Sequence, residues 1–189
     1  FGSASATVEN SAPEAVSVTI DPATGVTTST ALACTAEGQD ADGDILSIAH
    51  AWDDGSGNDL GTDSLLQLDA STVQPGDVVT CTATFSDADG AEGSGSASVD
   101  IRNSDPEMVS VAITEPDGHT WTGTNLVCEA LGADSDEDEA QLVYTYTWSV
   151  NGVSAGEGAE LNLPEVADGN TVECAATVAD SHGGTATDS

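Results

Sequence analysis

Residues 75–85 read PGDVVTCTATF and residues 168–178 read DGNTVECAATV, and these two stretches decide the fold. Each begins with a glycine-containing turn and continues as an alternation of apolar and polar residues around a cysteine. Such alternation predicts a β-strand with one buried face. The two cysteines, Cys81 and Cys174, lie 93 residues apart. The strand therefore belongs to a repeated unit.

The repeat extends in both directions from this strand. Cys128 lies 94 residues after Cys34, Trp148 lies 96 residues after Trp52, and the linkers at 10–13 and 103–106 lie 93 residues apart. A repeat of this length is one small domain. We therefore divide the chain into an initial strand at 1–10, one domain at 11–103 and a second at 104–189.

The remaining segments favour an all-β fold. Short alternating runs are separated by Gly, Asp and Asn turns, and no segment shows a sustained helical period. A Cys, Trp, Cys order is the mark of an immunoglobulin sandwich, in which a disulfide joins strands B and F beside a tryptophan on strand C. We predict two tandem Ig-like β-sandwich domains with the disulfides Cys34–Cys81 and Cys128–Cys174.

Three motifs carry a family resemblance. They are Asp40–Leu46 (DADGDIL), Pro75–Cys81 (PGDVVTC) and Asp87–Gly90 (DADG). With them the chain resembles the tandem Ig-like repeats of bacterial surface proteins, related to PKD and cadherin-like modules. The resemblance implies an extracellular scaffold and specifies no chemistry.

Charge excludes several classes of partner. The chain has 34 acidic residues, Arg102 as its single Lys or Arg, and a net charge of −33. Nucleic acid and anionic membrane surfaces are excluded, because both are bound through basic residues. No apolar stretch approaches the roughly 20 residues that span a bilayer. Two cysteines per repeat suit one disulfide each, and hence an extracellular or cell-surface location.

The ends of the chain suggest assembly. Phe1–Asn10 aligns with Ser94–Asn103, the last strand of the first repeat, whereas the second repeat is expected to lack its own strand G. Either the sequence is a window of a longer covalent array, or the first strand completes a neighbouring subunit. Both predict a fibre made of adjacent repeats or copies of the chain. The residues expected to mediate assembly are Phe1, Ala4, Ala6 and Val8.

Acidic loops predict a metal site in each repeat. In an Ig sandwich the B–C and F–G loops meet at the pole where strand A enters. Oxygen ligands gathered from several loops suit Ca²⁺. The alternative is that these residues only shape turns and solvate the loops. The candidate ligands are Asn10, Glu14, Asp40, Asp42, Asp44, Asp87 and Asp89 in the first repeat, and Asn103, Asp105, Glu107, Asp134, Asp136, Asp138 and Asp180 in the second.

These features favour a structural function. We expect a subunit or repeat segment of an extracellular filament, stalk or surface fibre, with junctions stiffened by calcium. The alternatives are an adhesin or carbohydrate-binding module, in which Trp121 would contact a glycan, and the accessory domains of a larger secreted protein. We expect no enzyme activity, because His50, His119 and His182 are scattered and no nucleophile has a recognisable base.

Overall fold

The structure is a computed structural model that describes residues 2–115 and 123–189. It forms two compact units, residues 1–102 (unit 1) and residues 103–189 (unit 2). The candidate residues Phe1, His119 and Trp121 lie outside the described residues. In the described part of the chain, no helix is long and apolar enough to cross a membrane.

Unit 1 is a sandwich of two antiparallel sheets. One sheet has the order β1-β2-β5 and the other the order β4-β3-β6-β7, so that the strands correspond to A-B-E and C′-C-F-G of an Ig domain. The strands are β1 (Glu14–Asp21), β2 (Ala31–Gln39), β3 (Ser47–Asp53), β4 (Asp59–Gly61), β5 (Leu65–Gln67), β6 (Val78–Ser86) and β7 (Glu92–Asp100).

Unit 2 repeats this topology. Its sheets have the orders β12-β9-β8 and β11-β10-β13-β14. A short 3-10 helix, Glu139–Gln141, lies in the connection between β9 and β10. The strands are β8 (Glu107–Thr114), β9 (Asn125–Ala133), β10 (Val143–Val150), β11 (Val153–Glu157), β12 (Glu160–Asn162), β13 (Val172–Ala179) and β14 (Thr185–Asp188).

A disulfide and a tryptophan lie at the centre of each sandwich. Cys34–Cys81 joins β2 to β6, and Cys128–Cys174 joins β9 to β13, with Cα atoms 6.4 and 6.3 Å apart. Trp52 and Trp148 are buried, and their indole N–H groups donate to the carbonyls of Asp63 and Gly158, at 2.7 and 2.8 Å. The predicted all-β Ig-like fold and both disulfides are confirmed.

The second repeat, which was expected to lack its own strand G, has β14 at the strand G position. In unit 1, β7 pairs with β6 over nine residues, whereas in unit 2, β14 pairs with β13 over four. Pairing starts at the turn that Asp180 closes, where its backbone N–H donates to the Gly184 carbonyl at 3.2 Å. Residues 2–13 lie outside every strand of the described chain. Their assignment to another unit stays a prediction.

Candidate metal centre

The loop after β2 gathers three carboxylates. The backbone N–H of Asp42 donates to Asp40 Oδ1 at 2.7 Å, which is the hydrogen bond of an Asx turn. The chain bends back at this turn, and one oxygen each of Asp40, Asp42 and Asp44 lie within 4.8 Å of one another. Ligands bound to Ca²⁺ at 2.3–2.6 Å lie at most about 5 Å apart, so this spacing is compatible with one ion.

The loop after β6 fixes the preceding linker to the same pole. Asp87 Oδ1 accepts hydrogen bonds from the backbone N–H groups of Asp89 and Ala91, at 2.9 and 2.8 Å. Its second oxygen accepts from Asn10 Nδ2 at 2.9 Å. The next linker residue, Ser11, donates its backbone N–H to the carboxylate of Asp42 at 2.6 Å.

Unit 2 repeats the hydrogen bonds of this arrangement at equivalent residues. Asn103 Nδ2 donates to Asp180 Oδ2 at 2.8 Å, and the Asp136 N–H donates to Asp134 Oδ1 at 2.6 Å. The backbone N–H of Ser104 donates to Asp136 Oδ2, as that of Ser11 does to Asp42. The site of unit 2 is the more enclosed of the two, because Asp136 and Asp180 are both buried.

Both sites leave buried oxygens without a hydrogen bond. In the described part of the chain these atoms are Asp40 Oδ2, Asp134 Oδ2 and Asn103 Oδ1. A buried acceptor without a partner loses its hydration and gains nothing in return. Among the described residues, the contact between a basic and an acidic side chain is that of His182 Nδ1 with Glu137 at 3.0 Å, and Arg102 is exposed. Within residues 2–115 and 123–189, no Lys or Arg side chain forms an ion pair with Asp40, Asp42, Asp44, Asp134 or Asp136.

Two of these carboxylates have raised pKa values. Burial raises the pKa of Asp44, and the negative charges of Asp40 and Asp89 raise it further. Burial also raises the pKa of Asp134, with Asp136 and Asp180 adding repulsion. Both groups are therefore harder to ionise than a free aspartate, which is the result expected where carboxylates lie close together and are partly buried.

The two carboxylates that hold the linkers have lowered pKa values. The hydrogen bond from the Asn10 side chain lowers the pKa of Asp87. Burial would raise the pKa of Asp180, but hydrogen bonds from the Asn103 side chain and from backbone N–H groups outweigh it and lower the value. These two aspartates stay ionised and anchor the linker residues.

Four predicted ligands have other positions. Glu14 and Glu107 are exposed at the first positions of β1 and β8. Asp138 precedes the 3-10 helix, and its backbone N–H donates to Gln141 Oε1 at 3.2 Å. Asp105 lies beside Gly184, since a β-carbon built on Gly184 would be 2.8 Å from Asp105 Oδ1.

Sequence reasoning missed Glu137. Its carboxylate accepts hydrogen bonds from the backbone N–H of Ser181 at 3.1 Å and contacts His182 Nδ1 at 3.0 Å. It links the β9–β10 and β13–β14 loops of unit 2. The available signal was the longer acidic loop of the second repeat, in which Glu137 follows Asp136 where the first repeat has Gly43 after Asp42.

Comparison with known proteins gives similarity in structure alone. No family model and no curated protein matches the sequence. One similar solved structure shows carbohydrate-binding modules from the β-sandwich superfamily, at 20% identity over 92% of this chain with a TM-score of 0.40. A second shows three N-terminal domains of the bacteriophage RB49 highly immunogenic outer capsid protein, at 16% identity over 93% of this chain with a TM-score of 0.36.

A third similar structure belongs to a 1.5-MDa bacterial ice-binding adhesin, at 13% identity over 96% of this chain with a TM-score of 0.34. The present chain covers 56% of the first of these solved chains, 66% of the second and 65% of the third. It thus spans less than two thirds of the first solved chain.

Proposed function

We propose that this chain is a structural segment of an extracellular filament, stalk or surface fibre. Two units of one topology, each with its own disulfide, suit an element in which length is gained by adding domains. The disulfides also fit an oxidising, extracellular medium. In this proposal the protein is not an enzyme, and its partners are adjacent repeats or further copies of the chain.

We further propose that each unit binds Ca²⁺ at the pole where its linker enters. The carrying observation is that Asp40 and Asp134, at equivalent positions, each direct one carboxylate oxygen into the unit without a hydrogen-bond partner among the described residues. In unit 1 the ligands would be Asp40, Asp42 and Asp44. In unit 2 Asp134, Asp136 and the Asn103 side-chain oxygen would take this role.

Such an ion would stiffen the linker of its own unit. Asn103 is held to Asp180 through its side-chain nitrogen, which leaves its oxygen for a cation. Ser104 is held by its backbone to the carboxylate of Asp136. Neutralising that carboxylate cluster removes the repulsion that opposes this closed arrangement. Calcium would therefore hold residues 103 and 104 more firmly against the loops of unit 2.

Glycan binding remains the second candidate function. It would need an exposed aromatic platform, yet Trp52 and Trp148 are buried and Trp121 lies outside the described residues. The structural role takes precedence because the repeated topology and the disulfide of each unit support it directly.

Calorimetry of the whole chain in calcium and in EDTA tests the calcium proposal. An ion at about a hundred times its dissociation constant adds roughly 2.7 kcal/mol to the free energy of unfolding. We therefore expect both units to unfold at higher temperature in calcium. Equal melting temperatures in calcium and EDTA would sink the proposal.

Matched variants assign the effect to a site. Asp134→Asn should remove the calcium-dependent shift of unit 2 and leave that of unit 1. Asp168→Asn removes one charge from an exposed position of unit 2 and should leave both shifts intact. A loss of the shift in Asp168→Asn would indicate a general charge effect instead of a site.

Electron microscopy of the native material tests the structural role, which requires fibres.

A further inference from the structure

We propose that an open groove in unit 1 binds a tyrosine side chain that a different protein presents between basic residues. The groove has a volume of about 560 Å³ and lies between the end of β2 and the start of β3, beside the acidic loop that joins them. Such a partner differs from the adjacent repeats and further copies that the structural role requires.

Unit 2 bridges the corresponding gap with a tyrosine of its own. Tyr144 of β10 has the position of Ile48 in β3, since each pairs with the equivalent residue of the neighbouring strand. The Tyr144 hydroxyl accepts a hydrogen bond from the Gly132 N–H of β9 at 2.8 Å, so its side chain crosses from one sheet to the other. Gly38, the counterpart of Gly132, lines the groove of unit 1 together with Ile48. The gap that Tyr144 bridges in unit 2 is therefore open in unit 1, and the hydroxyl of an inserted tyrosine would lie against Gly38.

The side chains of unit 1 leave apolar surface exposed along this gap. Ile48 is 44% exposed, and Val16 on the opposite sheet is 57% exposed. Leu46 is half-buried, whereas its counterpart Leu142 is 7% exposed. Phe85 borders the groove but is fully buried, so it leaves the groove itself open. An aromatic ring placed here would remove this apolar surface from water, which favours binding.

The walls of the groove carry negative charge. Glu37 is exposed near the end of β2, and Asp40 and Asp44 border the groove from the loop that follows. Among the described residues that line the groove, none is a lysine or an arginine. Basic residues on either side of an inserted tyrosine would therefore be complementary in charge to these walls.

The present chain is a poor source of such a segment. Arg102 is its single Lys or Arg, and further copies with a charge of −33 repel one another. Of its two tyrosines, Tyr144 is already hydrogen-bonded within unit 2, and Tyr146 packs against the core of that unit. The charge of the groove therefore points to a basic segment of another protein.

The test is an NMR titration of the isotope-labelled 189-residue chain with the capped tripeptide Lys-Tyr-Lys. It is carried out in EDTA, so that the result does not depend on the proposed calcium site, and at about 0.1 M salt, which screens the charges only in part. We expect saturable shifts of the amide signals of residues 37–39 and 46–48. Lys-Ala-Lys lacks the ring and Glu-Tyr-Glu reverses the charges, so each should bind about tenfold or more weakly.

A transplanted tyrosine tests whether the groove is the binding site. The double variant Ile48→Tyr/Phe85→Val gives unit 1 the pair of side chains that Tyr144 and Val178 form in unit 2. It should weaken peptide binding about tenfold or more, because its own tyrosine would bridge the gap. Leu65→Tyr adds a tyrosine at a 70% exposed position of β5 and should bind the peptide like the wild type.

The charge of the walls is tested with a variant that leaves the core unchanged. Glu37→Gln should weaken binding about threefold, which is the effect of one exposed ion pair. Because Glu37 is exposed, this variant keeps the test decisive should the double variant not fold. Asp100→Asn removes the same charge at the end of β7 that pairs with Val78, away from Phe85, and should leave the affinity unchanged.

Equal binding of Lys-Ala-Lys and Lys-Tyr-Lys overturns the inference, as do shifts spread over both units or full binding by the folded double variant. Shifts of the groove signals with chain concentration alone would assign the groove to a second copy and would also overturn it. These outcomes leave the structural role and the calcium proposal standing, since electron microscopy and calorimetry test those separately.

Discussion

The two units fill the space between β2 and β6, and between β9 and β13, with different side chains. In unit 1 the Phe85 ring lies against Gly38, so that a β-carbon built on Gly38 would be 2.7 Å from ring atom Cε1. In unit 2 the counterparts are Gly132 and Val178, and the closest approach would be 3.0 Å. The Tyr144 hydroxyl accepts a hydrogen bond from the Gly132 N–H at 2.8 Å and would lie 3.2 Å from the same built β-carbon.

This difference predicts unequal effects of one substitution. Gly38→Ala should reduce the free energy of unfolding of unit 1 by about 1–3 kcal/mol, because the added methyl group would overlap the buried Phe85 ring. Gly132→Ala should reduce the free energy of unfolding of unit 2 by a smaller amount. Urea unfolding measures both. A double-mutant cycle of Gly38→Ala with Phe85→Val should show favourable coupling, and additive effects would contradict this explanation.

The hydrogen bond from Asn103 predicts a pH effect at one residue. Asn103→Ala removes a donor to Asp180 and should raise the pKa of Asp180. In the wild type that pKa lies below its reference value of 3.8, so the hydrogen bond stabilises unit 2 above this pH. The stabilisation is lost as the pH falls through the lower folded pKa. NMR titration of the carboxyl group measures the shift. Asn162→Ala, which alters an exposed asparagine of unit 2, should leave the pKa of Asp180 unchanged.

Sequence reasoning found the aspartates of the candidate sites but not all of their roles. The spacing of Asp40 and Asp42 predicts a turn, and the alignment of both repeats places Asn10 and Asn103 at the same pole. The side-chain bonds of those asparagines require coordinates, because residues 77 positions apart meet only in the folded unit. Glu137 was missed for the same reason, since its partners lie 44 and 45 residues away.

At the scale of elements, the disulfide between β2 and β6 closes a long loop. Its cysteines are 47 residues apart. In the chain-entropy model such a crosslink adds about 4 kcal/mol to stability by restricting the unfolded chain. The double substitution Cys34→Ala with Cys81→Ala should therefore shift the unfolding of unit 1 to much lower denaturant. Unit 2 keeps its own disulfide and serves as an internal control. If unit 1 of the double variant unfolds at the same denaturant concentration as in the wild type, the estimate is refuted.

A strand could be predicted from the sequence where its own residues alternate between apolar and polar. The alternation of Val79, Cys81, Ala83 and Phe85 predicts β6 because these side chains form one buried face. The residues of β14 carry no such pattern, and its pairing is fixed by the ladder on β13. The short strands β4, β5, β11 and β12 escaped prediction similarly, because they are set by register with longer neighbours.

At the scale of the whole molecule, one sign of charge dominates. A net charge of −33 repels itself, and this repulsion is stronger in the compact state than in the expanded unfolded chain. Salt shortens the range of the repulsion from about 10 Å at 0.1 M to about 3 Å at 1 M. The folded units should therefore gain stability from any salt, in addition to any ion bound at the acidic poles.

The two contributions can be separated in one experiment. Raising sodium chloride from about 0.1 to 1 M should increase the melting temperature of both units, because screening removes general repulsion. Millimolar calcium at about 1 M sodium chloride should add a further increase, because screening is then nearly saturated and only site binding remains. The double variant Asp40→Asn/Asp134→Asn should keep the increase in melting temperature caused by sodium chloride. It should lose the further increase caused by calcium. If the variant and the wild type respond alike to both salts, the acidic clusters act only through their charge and calcium has no site in either unit.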